Sequence, residues 1–374
     1  MPPEKRWIFS KKGLDMDHAS LAGIQKHDAG SRRPTTANRP FIIPIFIPHA
    51  GCPHQCIFCN QKSITGTKKK FVDRNQLRNQ VIKFLSYKKH NRKPVQIAFF
   101  GGNFLGLESD KIIFLLEEAA DFVNQGLVDG IRFSTRPDTI DERRLSMIEG
   151  YPVATIELGV QSMDDRILAL AGRGHSASDT VRAVERLKRR QYTIALQMMV
   201  GLPGDDKTRA MTTARKVAAL QPDFVRIYPT VVVENSRLAD WYENGNYMPP
   251  TLEESVTLAK TIYLLFKRKN IEVIRMGLQS SEDLDEGSTL IAGPYHPAFG
   301  HLVHSEIFLD KATAAIIAAK PTQDALTISV NPRSISKMRG LHNSNIEKLK
   351  DNFRLNSIQV VPDPSIGEDQ LIIS

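Results

Sequence analysis

Cys52, Cys56 and Cys59 are the only cysteines in a chain of 374 residues, and they fall in one window written C-x-x-x-C-x-x-C. Three thiolates on a tight loop make a three-point metal anchor. Three protein ligands suit a 4Fe-4S cluster whose fourth iron is left for a ligand that is not protein. The alternative is a zinc site that adds His49 or His54 to the three thiolates. A disulfide framework fits poorly, because the count is odd and the opening MPPEKRWIFSKKG has no apolar run behind its charges.

Such an anchor needs a scaffold, and from residue 41 onward strand-like runs alternate with helix-like stretches. FIIPIFIP is followed by a helical pattern over 73–87, VQIAFF by 108–124, GIRFST by 141–149, VATIELGV by 163–190 and YTIALQMMV by 205–219, before DFVRIY. Six such units predict a parallel sheet, with the cysteine loop directly after its first strand. In YTIALQMMVG, the large apolar Ile194, Leu196, Met198 and Val200 alternate with Thr193, Ala195, Gln197 and Gly201. One strand face therefore packs on helices while the other looks inward. The same period groups Glu157 with Gly159 and Gln161, Ser134 with Arg136, and Arg226 with Tyr228. A filled barrel carries Val, Ile and Leu inside, so these polar, uneven layers predict a cavity lined for ligands. Gly101 and Gly102 at the end of the second strand let backbone groups approach a ligand closely.

The cysteine motif resembles that of the radical S-adenosylmethionine (SAM) superfamily. The run TIELGVQSMDDRILALAGRGHSASDTVRAVERLK, followed by MMVGLPGD and RIYPTVV, is similar to the radical SAM domain of the Elongator catalytic-subunit family, over roughly residues 41–310. A more distant likeness is to oxygen-independent coproporphyrinogen oxidases, which share GVQS and an arginine twelve residues beyond its glutamine, here Gln161 and Arg173. The resemblance implies an α/β fold, a partial (β/α)6 TIM-like barrel, with a 4Fe-4S cluster on Cys52, Cys56 and Cys59 and SAM on its open iron. It assigns Gly101, Gly102 and Asn103 to the SAM amino group, Arg173 to the carboxylate and Gly201 to the adenine. Phe58, Ser134, Gln161 and Gln197 are the remaining SAM-contact candidates, Ser134 standing where the family's typical glutamate precedes TRPD. Arg226 and Tyr228 are the catalytic candidates facing the substrate. The implied activity is reductive cleavage of SAM to a 5'-deoxyadenosyl radical, aimed at tRNA or another RNA, with an electron donor such as ferredoxin or flavodoxin. A small-molecule oxidase like the coproporphyrinogen relatives and a non-catalytic iron-sulfur or RNA-binding protein are the alternatives.

A net charge of +9 and a pI near 9.4 suit a polyanionic partner. Residues 1–39 carry eight Lys or Arg against four acids without hydrophobic periodicity, which predicts a basic flexible lead-in. No stretch approaches the ~18 apolar residues of a membrane span, so the expected location is the cytoplasm, where thiolates stay reduced. The core is expected over 40–245, an Elongator-like extension over 246–310 and a small α+β module over 311–374. That module reads strand, helix, loop, helix, strand and resembles a KH-type RNA-binding domain. Gly340-Leu-His-Asn343 stands in place of its G-x-x-G loop, with Arg333, Lys337 and Arg339 nearby. With no pyrophosphate-loop pattern after residue 310, an acetyl-CoA-using domain is not expected there. His296, His301, His304 and Glu306 match no standard metal spacing, and the histidines read as solvated or hydrogen-bonded, while Lys68 to Lys70 read as a solvated turn.

Overall fold

The computed structural model describes residues 40–47, 51–60, 71–88, 94–279, 289–321 and 324–374. The lead-in over 1–39, His49 and Lys68 to Lys70 lie outside these residues. The chain divides into two compact units, the larger running from Arg33 to Pro297 and the other including Ala298–Ser374.

In the larger unit the period-two runs become parallel strands. They are β1 (Phe41–Phe46), β2 (Val95–Phe100), β3 (Gly130–Thr135), β4 (Val153–Gln161), β5 (Thr193–Val200) and β6 (Phe224–Pro229). They lie in sequence order, and a short antiparallel pair, β7 (Val232–Val233) with β9 (Leu290–Ala292), stands outside the main sheet. A seventh parallel strand, β8 (Glu272–Met276), completes the order beside β6. The six-unit expectation stops one strand short, because EVIRM lacks the longer apolar runs of the others.

Helices return the chain between strands, most of them started by a residue whose side chain satisfies otherwise open amides. Asp73 and Gln76 form a capping box at α1 (Arg74–Ser86). Next come α2 (Ser109–Asn124) and α3 (Glu142–Ile148). The stretch 163–190, expected as one helix, is two: α4 (Asp165–Leu170) and α5 (Ala177–Arg189). Gly172 and Gly174, at φ +64° and +66°, turn the chain between them. Ser176 and Asp179 then cap α5. After α6 (Lys207–Ala219) come α7 (Arg237–Glu243) and α8 (Leu252–Arg268). The outer sheet face is filled by apolar side chains such as Ile97, Phe133, Ile156 and Leu196, all fully buried.

The second unit begins with α9 (Phe299–Ala319), followed by β10 (Ala325–Val330), α10 (Ile335–Arg339), α11 (Ser344–Phe353), β11 (Ser357–Pro362) and β12 (Leu371–Ile373). β10 runs parallel to β11 and antiparallel to β12. The expected boundary at 310/311 falls inside α9. The helix belongs with the tail because Phe308, Ala312, Ala315 and Ile316 form one core with Ile328, Val330, Met338 and Leu349. Gly340, His342 and Asn343 all take left-handed φ in the turn before α11. His301 lies 3.4 Å from the Ser305 hydroxyl, and Glu306 pairs with Lys348 at 3.3 Å. No helix among the described residues is long and apolar enough to cross a membrane.

Candidate functional site

The polar inner face of the large sheet borders one cavity of about 740 Å³. Phe41 of β1 and Arg275 of β8 both line it, so the sheet curls until its first and last strands share a wall. Cys52, Cys56 and Cys59 sit at the same cavity with Phe58, Gly101, Gly102, Ser134, Gln161, Arg173, Gln197, Arg226 and Tyr228. The structure thus brings together all but two of the residues singled out from the sequence.

The two exceptions hold the site in shape. Asn103 is fully buried beside the cavity. Its carbonyl oxygen accepts from the Thr135 hydroxyl (2.7 Å), the Thr139 hydroxyl (3.0 Å) and the Arg136 amide (3.0 Å), while its NH2 donates to the Gly51 carbonyl (2.8 Å). Both ends of the amide are engaged, which ties the cysteine loop to the end of β3. Gly201, at φ +79°, sits under Pro250 and accepts from the Tyr247 hydroxyl at 2.6 Å.

Three further ties position the cysteine loop. The Ile57 amide donates to the Ala171 carbonyl (3.1 Å), the Leu238 amide donates to the Ile57 carbonyl (2.8 Å), and Asn60 donates to the Glu234 carbonyl (2.6 Å). Ile57 itself is buried against Val232, Leu238 and Tyr247. The AGRGH segment lies along the loop, so close that a Cβ on Gly174 would stand 2.3 Å from the His54 ring.

That segment aims Arg173 inward. Its Nη1 donates to the Cys56 sulfur at 3.2 Å and its Nη2 to the Gly159 carbonyl. Arg136 donates to the Arg173 carbonyl and grips Asp138 through two bonds of 2.9 and 3.0 Å. The strand period groups Arg136 with Ser134 but gives it no role of its own. Its position after the end of β3 was the available signal.

Deeper in, Glu157 is fully buried and meets both Arg132 and Arg226, the latter at 3.0 Å, while Gln197 donates to it at 2.8 Å. Burial pushes this carboxyl up, but Arg226, Arg132 and the Gln197 amide outweigh it and hold the group below the ordinary carboxylate range. Arg226 also donates to the Tyr228 hydroxyl at 3.1 Å. His175, buried behind Arg173, is pushed down to about 4 by burial and by the Arg173 and Arg136 charges.

The donor set distinguishes two kinds of metal centre. A single zinc would need the three thiolates and a histidine to converge on one ion. A cubane binds each thiolate at a different iron, and the three cysteines on one cavity wall fit that demand. Next to them, the buried Arg136 Nη1, Arg173 Nε and Gln161 Oε1 have no protein partner. Buried polar atoms require partners. Two cationic donors and an amide oxygen match a ligand that carries both a carboxylate and an amine.

Comparison with known proteins agrees with this geometry. Residues 46–217 match the family described as the radical SAM superfamily, and residues 222–308 match the radical SAM C-terminal domain. An uncharacterized protein of Methanocaldococcus jannaschii, MJ0486, is 32% identical over 226 residues, covering 58% of this chain and 68% of that protein. A tRNA uridine(34) acetyltransferase of Dehalococcoides mccartyi is 26% identical over 53% of this chain and 50% of its own length. The chain therefore spans about half of that relative. Among solved structures, an N-terminally deleted Elp3 of Methanocaldococcus infernus superposes with a TM-score of 0.56 at 18% identity, covering 71% of this chain and 62% of the other. That likeness is one of fold.

Proposed function

This chain belongs to the radical SAM superfamily of enzymes, and we propose that it cleaves SAM reductively and directs the resulting radical at a tRNA or another RNA. The carrying observation is the meeting of three thiols and three unpartnered buried polar atoms, on Arg136, Arg173 and Gln161, at one cavity. Cys52, Cys56 and Cys59 would hold a 4Fe-4S cluster, which when reduced by a ferredoxin- or flavodoxin-like donor would supply the one electron that splits SAM into methionine and a 5'-deoxyadenosyl radical.

The chain's own residues bind and orient. Arg173 and Arg136 supply charge-assisted donors for the SAM carboxylate, and Gln161 Oε1 accepts from its amine. Gly101 and Gly102 let the backbone after β2 approach the same group. Phe58 and Met199, which both line the cavity, furnish apolar walls that keep water from a reactive radical. Asn103 and Gly201 act through the backbone segments they hold. Support for RNA comes from the names of the tRNA-modifying relatives and from the net charge of +9, which favours a phosphate-rich partner.

Anaerobic reconstitution with iron and sulfide, followed by SAM and a strong reductant, tests the reading. The expected result is a cluster absorbance near four irons per chain, as the 4Fe-4S assignment requires, and release of 5'-deoxyadenosine. Both should disappear in Cys56→Ala. Stoichiometric zinc without iron, or a fully active Cys56→Ala, would overturn it.

A further inference from the structure

We propose that Arg226 and Arg275 form a subsite for an anionic group, a carboxylate or a phosphate, on the second molecule that the cavity takes beside SAM. Arg226 of β6 and Arg275 of β8 are direct partners across neighbouring strands, and both line the cavity. Two guanidiniums side by side repel each other unless an anion lies between them.

The described residues supply too little negative charge to do this. Four arginines line the cavity, and no Asp or Glu is among its described lining residues. Glu157, the carboxylate bonded to Arg226, is shared with Arg132, so one negative charge serves two positive ones. Arg275 has no hydrogen-bond or ion-pair partner among the described residues and stands half-buried on the last strand of the sheet. The surplus is therefore cationic, in a partly enclosed site where water screens it weakly.

The remaining groups favour recognition over proton transfer. Glu157, itself held by Gln197, and Phe100 fix the Arg226 guanidinium, whose carbon lies 5.5 Å from the Phe100 ring centre. Tyr228 adds a hydroxyl 3.1 Å from Arg226 Nη1. Planar guanidiniums with a neighbouring phenol suit the paired oxygens of a carboxylate or the oxygens of a phosphate. Arg226 and Arg275 enter the cavity from β6 and β8, whereas Arg136 enters it after β3. The inference rests on the radical SAM reading only in naming SAM as the first occupant.

Reconstituted holoprotein, saturated with SAM at low ionic strength, is titrated by calorimetry with inorganic phosphate and separately with acetate, against chloride at matched ionic strength. At least one anion should bind wild type, weaken about tenfold to a hundredfold in Arg275→Gln, and recover in large part in Arg275→Lys. A preference for phosphate identifies the group as a nucleotide phosphate, and a preference for acetate as a substrate carboxylate. No binding beyond chloride, or equal affinity in wild type, Arg275→Gln and Arg275→Lys, overturns the proposal. If SAM fails to bind, the radical reading falls alone, because the comparison of wild type with Arg275→Gln still isolates Arg275 in SAM-free protein.

Discussion

At the scale of single residues, the site is a set of charges held where water would ordinarily stabilise them. Arg132 and Glu157 are almost wholly buried, and Arg173 and Arg136 are close to it. Each is tolerated because a carbonyl, a carboxylate or a guanidinium stands opposite. His175 is the exception, with both ring nitrogens buried and neither in a hydrogen bond of good geometry. Its folded pKa of about 4 lies below the ordinary 6.5, so the folded chain resists the proton that the unfolded chain accepts. Stability from this source is complete above the unfolded value and is lost as pH falls toward the folded one. Denaturant titrations should show wild type losing about 2 kcal/mol more than His175→Leu between about pH 7 and about pH 5. Equal slopes for the two proteins would show that the ring is not held neutral. Comparing slopes cancels the packing cost of the substitution.

At the scale of elements, the cysteine loop is placed by backbone contacts too close for any side chain. Gly51 has φ +71°, and a Cβ there would stand 2.2 Å from the Asn103 carbonyl oxygen and 2.7 Å from the backbone of Gly106 and Leu107. Gly126 has nearly the same φ, +68°, with nothing within 4 Å. Gly126→Ala should therefore cost only the left-handed strain, about 1–2 kcal/mol, and keep its iron. Gly51→Ala must also displace backbone, and should cost more while lowering iron per chain after reconstitution. Equal iron content in the two variants would refute the close packing as the positioning device. This contact was not legible beforehand. The strand period exposes which residues face inward, which is why Gln161, Gln197, Arg226 and Tyr228 could be grouped from their spacing. It says nothing about which loop lies on which. The split of α4 from α5 was hidden for the same reason. The glycines of AGRGH look like a blemish in a helical pattern until the cysteine loop is laid against them. Arg275 was missed because β8 is short and mixes Glu and Arg among its apolar residues.

At the scale of the whole molecule, the chain pairs a curled sheet with a small unit whose own core begins at α9. The order strand, helix, helix, strand in that tail follows from its apolar spacing, but its true start does not, because α9 is apolar almost all round and reads equally well as part of the preceding segment. Packing decides it: Phe308, Ala312 and Ile316 are at most 2% exposed, against the strands and helices that follow. Any test of the tail as an RNA contact must respect this. A protein ending at residue 297 loses a whole unit, whereas one ending at residue 320 keeps a helix stripped of its core. The shorter protein should run as a single species on size exclusion, and the longer one should aggregate. If the tail meets phosphates, the protein ending at 297 should bind tRNA more weakly than the full chain. Its log affinity should also fall less steeply with log salt, by about one unit for each duplex phosphate contact removed. Equal affinity and equal slope would assign RNA contact to the unit that carries the cysteines. The cluster spectrum of the protein ending at 297 supplies the control, because Cys52, Cys56, Cys59, Arg136 and Arg173 all belong to that unit.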